Sequence, residues 1–290
     1  MYLADGWKDY EIIDAGNDEK LERWGDVVLL RPDPQAIWPM ESGKEYDAHY
    51  IRSNSGGGAW TFNRRLPESW TIQYRDLKFI VKPTGFKHTG LFPEQSVNWD
   101  FMRSVVEKHI NATGRPFRVL NLFAYTGGAT VALAAAGAEV VHVDAAKGIV
   151  AWAKNNLAAS GLADRPVRFI VDDVMKFVQR EKRRGREYEG ILMDPPSYGR
   201  GPDGEMWRIE NGLYLLVSEC RDLMSNDAGF FIINSYTTGL APTVLQNVLK
   251  VAMGGMGGTI EAREIGLPIT ENDLILPCGC TARWYREPKK

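Results

Sequence analysis

Two stretches of this chain hold residues of the kind that do chemistry. The first is Asn121-Leu122-Phe123-Ala124-Tyr125-Thr126-Gly127-Gly128, which closes an apolar run of strand length over 118–123. Good helix formers follow at 131–136 and stop at Gly137, so the stretch predicts a strand, a glycine turn and a helix. Gly127 and Gly128 let backbone approach a ligand, Thr126 can cap the helix, and the N–H groups of its first turn favour an anion. The next predicted strand, 139–143, leads into Asp144, an acidic residue placed to accept both hydroxyls of a ribose. The second stretch is Asp194-Pro195-Pro196-Ser197-Tyr198, after a buried-type strand at 190–193. Consecutive prolines neither extend a strand nor enter a helix interior, so they make a stiff turn. Such a turn can present Asp194 and the carbonyls of Asp194 and Pro195 as fixed acceptors, with Tyr198 as an aromatic face. Fixed acceptors hold an amine with its lone pair aimed at an electrophile. The bland alternative is a turn that only ends a strand.

The glycine turn is not Gly-x-Gly-x-x-Gly and lacks the Gly-Lys-Ser/Thr of a phosphate-binding loop. A ribose with one small anion therefore fits better than a pyrophosphate. S-adenosylmethionine, whose carboxylate is its one anion, is such a ligand. Displacement of a methyl group from a sulfonium asks the protein mainly for alignment and a dry site.

The elements around these stretches alternate. A helix is predicted over about 97–110, with Trp99, Phe101, Met102, Val105, Val106 and Ile110 on one face. After the first strand and helix come the strand to Asp144, a helix ending near Ser160-Gly161, and a strand at 167–171 before Asp172-Asp173. A helix from Val174 follows, then the strand before Asp194, a helix at 213–224, a strand at 229–234 and a helix at 241–253. Strands at about 259–265 and 280–285 finish the chain. Such alternation predicts a parallel sheet with helices on both faces. Residues 1–87 differ: Trp7, Trp24, Trp38, Trp60 and Trp70 crowd among short β-type runs and turn residues, and 53–58 reads as the most flexible loop. We expect a small, mostly antiparallel β domain there and a second domain over 88–290. Its aromatics read as core, with base stacking by a few of them as the alternative.

Composition bounds the answer. With 290 residues, 44% hydrophobic and 25% charged, the chain reads as globular, with no apolar run long enough to span a bilayer. Three cysteines, an odd number, point to a reducing compartment and a cytoplasmic location. A formal charge of −2 argues against a broad electrostatic grip on nucleic acid. The basic run of Arg180, Lys182, Arg183, Arg184 and Arg186 reads first as a solvated helix end, and second as a phosphate contact.

The Asn-Leu-Phe-Ala-Tyr-Thr-Gly-Gly turn, Val-Asp144, Asp172-Asp173-Val174 and Met193-Asp194-Pro195-Pro196 together resemble the class I S-adenosylmethionine-dependent methyltransferases. They are most similar to those that make 5-methylcytosine and 7-methylguanine in large-subunit ribosomal RNA. The resemblance covers about residues 85–285. It implies an α/β, Rossmann-like seven-stranded sheet with the last strand inserted antiparallel, beside the small N-terminal β-rich domain. It further implies cofactor contacts from Phe92, Asn121, Phe123, Tyr125, Thr126, Gly127, Gly128, Asp144, Asp173, Val174 and Asp194, and a catalytic turn of Asp194, Pro195, Pro196 and Tyr198. S-adenosyl-L-homocysteine would be the product, ribosomal RNA the partner, and no metal is called for.

The departures are informative. Relatives that methylate carbon 5 of cytosine need a thiolate and carry Ser-Cys-Ser after the fifth strand, where this chain has Asn234-Ser235-Tyr236-Thr237. Cys220 falls in a helix, and Cys278-Gly279-Cys280 lacks the remaining ligands of a zinc site. Transfer to nitrogen, or second to oxygen, is the expectation. The loop at 90–95 matches the family's cofactor cover but continues Ser96-Val97-Asn98 where arginines are usual. His49, His88, His109 and His142 show no metal spacing, and His88 is the one placed to touch substrate. Rival readings are a small-molecule or protein acceptor, a nicotinamide dehydrogenase without its glycine pattern, and a cofactor-binding module without catalysis.

Overall fold

The computed structural model describes residues 1–41, 43–53, 57–200 and 206–287, so Asn54, Ser55 and Gly56 of the loop at 53–58 lie outside the described residues. The chain divides into two compact units, Met1–Val97 with Ile265–Cys278, and Asn98–Glu264 with Gly279–Lys290.

The first unit opens with β1 (Tyr2–Leu3), β2 (Tyr10–Gly16), β3 (Glu19–Trp24), β4 (Val27–Pro32), β5 (Ala48–Arg52) and β6 (Gly58–Phe62). β2 to β6 form one sheet in chain order, antiparallel except for the parallel β4–β5 pair. Asn17 and Asp18, both at positive φ, make the two-residue turn between β2 and β3, the geometry that matches strand twist. A separate hairpin follows, β7 (Trp70–Tyr74) and β8 (Leu77–Val81). Five of the aromatics are core: Tyr10, Trp24, Tyr50, Tyr74 and Phe79 are buried, and Tyr10 meets Trp24 edge-on at 4.6 Å, whereas Trp7, Trp38, Trp60 and Trp70 are only half-buried. The core also encloses an ion pair. Glu22, fully buried, takes both Nε and Nη2 of Arg31 (2.5 and 2.9 Å) and the Tyr10 hydroxyl (2.6 Å).

The second unit alternates as its periodicity requires: α1 (Ser96–Thr113), β9 (Arg118–Leu122), α2 (Gly128–Ala135), β10 (Glu139–Asp144), α3 (Lys147–Ala159), β11 (Val167–Val171), α4 (Val174–Arg183) and β12 (Gly190–Met193). Next come β13 (Tyr198–Arg200), β14 (Met206–Arg208), α5 (Ile209–Arg221), β15 (Phe230–Ser235), α6 (Pro242–Ala252), β16 (Thr259–Pro268) and β17 (Ile275–Tyr285). The sheet order is β1-β16-β17-β15-β12-β9-β10-β11, in which β1 adds an edge strand to the seven from β16 to β11, with β17 antiparallel to β15. Those seven are the arrangement implied by the resemblance. Helices cover both faces, and the strands show why. Leu120, Leu122, Val141 and Val143 join one core with side chains of α4, α5 and α6, while Asn121 and His142, one residue out of phase, turn to Thr130 of α2.

Two expectations shift. α5 starts at Ile209, four residues before the predicted 213. β16 and β17 run past 265 and begin before 280. Their distal halves belong to the first unit, where Tyr2 and Leu3 pair with Ile265 and Gly266, and Ile12 bridges Ile269. Pro268 and Pro277 read locally as breakers, yet β16 and β17 continue to or through them, and the distal part of β16 is paired with partners some 260 residues away in sequence.

Candidate functional site

β10 and β12 flank β9 in parallel register, Val143 and Met193 both opposite Leu122, so the turns that follow these strands share one edge of the sheet. β11 and β15 extend that edge, with Val171 opposite Asp144 and Ile233 opposite Met193. Ligands of open α/β sheets bind at such an edge, outside the carboxyl ends of the strands.

The turn after β9 is held in an unusual backbone. Phe123 and Tyr125 sit at φ 54° and 51°, and Gly127 at 82°. A non-glycine residue there costs on the order of 1–3 kcal/mol, so the surroundings must impose it. They do: Ala124 N–H donates to the Val143 carbonyl (3.0 Å), and Tyr125 N–H to Oδ2 of Asp144 (3.0 Å). Asp144 accepts Ala146 N–H on its other oxygen (2.9 Å), so one carboxylate ties the turn after β9 to the turn after β10. Gly127 is needed on two counts, its φ and a Cβ that would stand 2.9 Å from the Ala153 Cβ of α3. Gly127, rather than Thr126, takes the N-cap of α2. Thr126 lies buried outside it, its carbonyl accepting from Asn156 Nδ2 (2.8 Å).

Beneath the turn, Asn121 Nδ2 donates to Thr130 Oγ1 (3.0 Å), which lies 2.9 Å from His142 Nδ1. All three side chains are buried. The His142 ring lies near the Tyr125 backbone; burial brings it down to about 3, against a smaller opposing effect of that backbone, so the ring is neutral. Asn121 thus supports the turn from below. On the far side, Asp172 N–H donates to the Asp144 carbonyl (3.1 Å), which sets the next segment beside it. Asp173 caps α4 by accepting Lys176 N–H (2.8 Å), and Val174 is buried behind it.

The turn after β12 hangs from β9 through Asp194 N–H to the Leu122 carbonyl (3.4 Å). Pro195 is buried, Asp194 half-buried, and Pro196, Ser197 and Tyr198 are exposed. Tyr198 belongs to the β13–β14 hairpin, opposite Arg208, with its hydroxyl 3.2 Å from Met206 Sδ. Trp207 is the aromatic that fixes this turn: its Nε1 donates to the Pro196 carbonyl (2.6 Å) and its ring lies 6.0 Å from that of Phe123. Ser197 Oγ meets Thr237 Oγ1 at 2.6 Å, which joins this turn to the loop after β15. Sequence reasoning missed Trp207 and Thr237. Asp203-Gly204 is a hairpin signal that could have raised Trp207, whereas nothing local pairs Ser197 with Thr237.

All three cysteine thiols are raised by burial. Burial raises Cys220 in α5 strongly, and Cys280, opposite Ser235, is buried, bonded to the Leu240 carbonyl and pushed up to about 11. Cys278 belongs to the first unit and is raised by burial and then by Glu94. Gly279 has its own reason, since a Cβ would lie 2.7 Å from the Ser235 carbonyl. Phe92 also belongs to the first unit, half-buried against the His88 ring at 5.4 Å. The basic run is largely neutralised: Lys182 pairs with Glu219 and Asp222, Arg184 with Glu181, and Arg180 with Asp172. Among the described residues no group of three or more His, Cys, Asp or Glu could hold a metal ion.

The first turn of α2 could hold one small anion at this edge. The first turn of α2 precedes its first helical bond, Val131 N–H to the Gly127 carbonyl, and the close packing at Gly127 leaves no room for a side chain there.

The profile of the S-adenosylmethionine-dependent methyltransferase family matches residues 35–209. Ribosomal RNA large subunit methyltransferase K/L of Shewanella baltica is 38% identical over 177 residues, 61% of this chain and 23% of that protein. Ribosomal RNA large subunit methyltransferase I of Photobacterium profundum is 32% identical over 175 residues, 55% of this chain and 42% of that one. The chain thus spans about a quarter of the first relative's length and under half of the second's. Among solved structures, the SAM-dependent methyltransferase from Agrobacterium tumefaciens superposes with a TM-score of 0.91 at 36% identity, covering 98% of this chain and 92% of that one.

Proposed function

The chain belongs to the S-adenosylmethionine-dependent methyltransferases, and from that premise we propose that it methylates a nitrogen of a base in ribosomal RNA by direct displacement, with no cysteine adduct. The observation that carries the nitrogen assignment is the loop after β15. Ser235, Tyr236 and Thr237 stand there, Thr237 is bonded to Ser197 of the Asp-Pro-Pro turn, and none of the three cysteines is poised as a thiolate. The names of the curated relatives support the RNA substrate.

In this reading the turn at Phe123–Gly128 holds the methionine part of the cofactor, with the anion at the first turn of α2 and the ribose on Asp144. Asp173 and Val174 flank the adenine. The bound cofactor supplies an electrophilic methyl on a sulfonium. Asp194 and the Pro195 carbonyl accept the hydrogens of the acceptor nitrogen and aim its lone pair, which forms the N–C bond as the C–S bond breaks. Trp207 and the prolines keep that turn from relaxing, so alignment is preset. The nitrogen's surplus proton leaves to Asp194 or to water.

The test is transfer of radiolabelled methyl into total RNA from a strain lacking the gene, followed by digestion to nucleosides. Label in an N-methylated base of large-subunit RNA is expected, and RNA carrying 5-fluorocytidine should form no covalent complex. Label in 5-methylcytidine would overturn the nitrogen assignment. Cofactor binding with no RNA label would move the acceptor to a small molecule or a protein.

A further inference from the structure

Not every aromatic of the first unit goes into its core. Trp60 and Phe62, two apart on β6, lie on the same face with rings 6.4 Å apart and 29° from parallel. Trp60 is half-buried, backed edge-on by Tyr50 at 5.4 Å, and Phe62 is 53% exposed. Trp60 Nε1 donates to the Thr84 carbonyl (2.8 Å), and Thr84 Oγ1 accepts from Phe86 N–H (3.2 Å), so the segment bearing Phe86, 72% exposed, is anchored to the same strand. Three exposed or half-exposed rings on one anchored surface are not accounted for by packing.

Cations stand beside them. Arg52, opposite Gly58 in the β5–β6 pair, lies on the Tyr50–Trp60 side of the hairpin, and Lys87 follows Phe86. Neither has a carboxylate partner among the described residues, whereas nearby Lys20 is paired with Asp33 (3.3 Å) and Glu22 (3.6 Å). The position of Lys87 is built from the core outward. Arg31, held by buried Glu22, donates through Nη1 to the Lys87 carbonyl (2.7 Å). Burial, then the charges of Lys20 and Arg52, lower the Lys87 ammonium, with Asp33 opposing and Arg31 adding a little. A buried ion pair is a poor source of stability but a good means of fixing geometry. Here it fixes the backbone from which the Lys87 side chain projects.

We propose that this face of the first unit binds single-stranded RNA, with bases stacked on Trp60, Phe62 and Phe86 and the phosphodiester backbone against Arg52 and Lys87. Aromatic faces next to unpaired cations are how proteins hold single strands, because every base has a π-face and every linkage a charge. The inference rests on the proposed function, in which RNA is the substrate. It supplies a grip that the weakly charged chain and its neutralised basic run otherwise lack.

The experiment is fluorescence anisotropy of the full chain with a fluorescein-labelled single-stranded RNA 20-mer, alongside methyl transfer to RNA and calorimetry with S-adenosylmethionine. Phe62→Ala with Phe86→Ala, both at exposed positions, should weaken RNA binding roughly tenfold or more and leave cofactor affinity and melting temperature unchanged. Arg52→Gln with Lys87→Gln should lower the slope of log K against log salt by about 0.7 for each phosphate no longer neutralised. A wild type that binds and labels RNA, but is indifferent to all four substitutions, overturns the surface and leaves the RNA substrate standing. A wild type that neither binds nor labels RNA overturns both. If the two phenylalanines instead govern labelling of a protein, the face is a protein-docking surface and the RNA proposal falls.

Discussion

Asp144 carries two duties in one side chain. Its oxygens receive Tyr125 and Ala146 N–H groups, and in the proposed function the remaining lone pairs receive a ribose. Asp144→Ala should weaken cofactor binding by about 1–3 kcal/mol, the range for lost buried hydrogen bonds, and relax the strained turn; unchanged affinity by calorimetry would refute the ribose assignment. Asp194 ties its turn to β9 through its backbone N–H, a bond that survives replacement of the side chain. Asp194→Ala should abolish turnover and leave cofactor affinity within about tenfold, given that a single exchanged hydrogen bond is worth only about 1 kcal/mol. Normal turnover in that variant would remove the carboxylate from the mechanism.

At the scale of elements, the site depends on how closely α2 and α3 approach. Gly127 marks their meeting, where both its backbone angle and the Ala153 contact exclude a side chain. Gly127→Ala should destabilise the chain by about 1–3 kcal/mol and weaken cofactor binding more than Ala153→Gly, which leaves the turn's backbone free to keep its form. Chemical denaturation and calorimetry on both variants separate the two effects, and equal losses in binding would place the constraint elsewhere. The strands on either side are robust by comparison. β12 and β15 are buried along their whole length, as parallel strands covered on both faces must be.

At the scale of the whole molecule, the buried Tyr10–Glu22–Arg31 group makes stability depend on acid. Burial alone would raise Glu22, but the charges of Arg31 and Lys20 and the hydrogen bonds from Arg31 and Tyr10 outweigh it and hold the carboxyl at about 2. Its folded value lies below the unfolded one, about 4.3. The stabilisation is therefore fully present above that value and is lost as pH falls through about 2. Glu22→Gln should lower stability by about 3–5 kcal/mol at neutral pH, since Arg31 is left buried without its partner. The gap between the two proteins in urea denaturation should hold from pH 8 to pH 5 and shrink below pH 4. A gap that does not change with pH would mean the charge on Glu22 contributes nothing.

The alternation of strands and helices in the second unit and the sites of its turns were legible in the chain, because strands and helices announce themselves through periodicities of two and 3.6 and through local breakers, while the strand order was implied by the resemblance alone. Phe123–Gly128, Asp144, Asp173 and the Asp-Pro-Pro turn are placed by such signals, each within a few residues of the strand it follows. Only the tertiary structure decided that Trp207 locks the Pro196 carbonyl, that Ser197 meets Thr237, and that Gly127 is squeezed by Ala153. The same holds for the hairpin 265–278, which pairs with the first residues of the chain, and for the ion pair that sets Lys87. These are contacts between residues far apart in sequence, and no local pattern encodes a distance that exists only once both segments are folded.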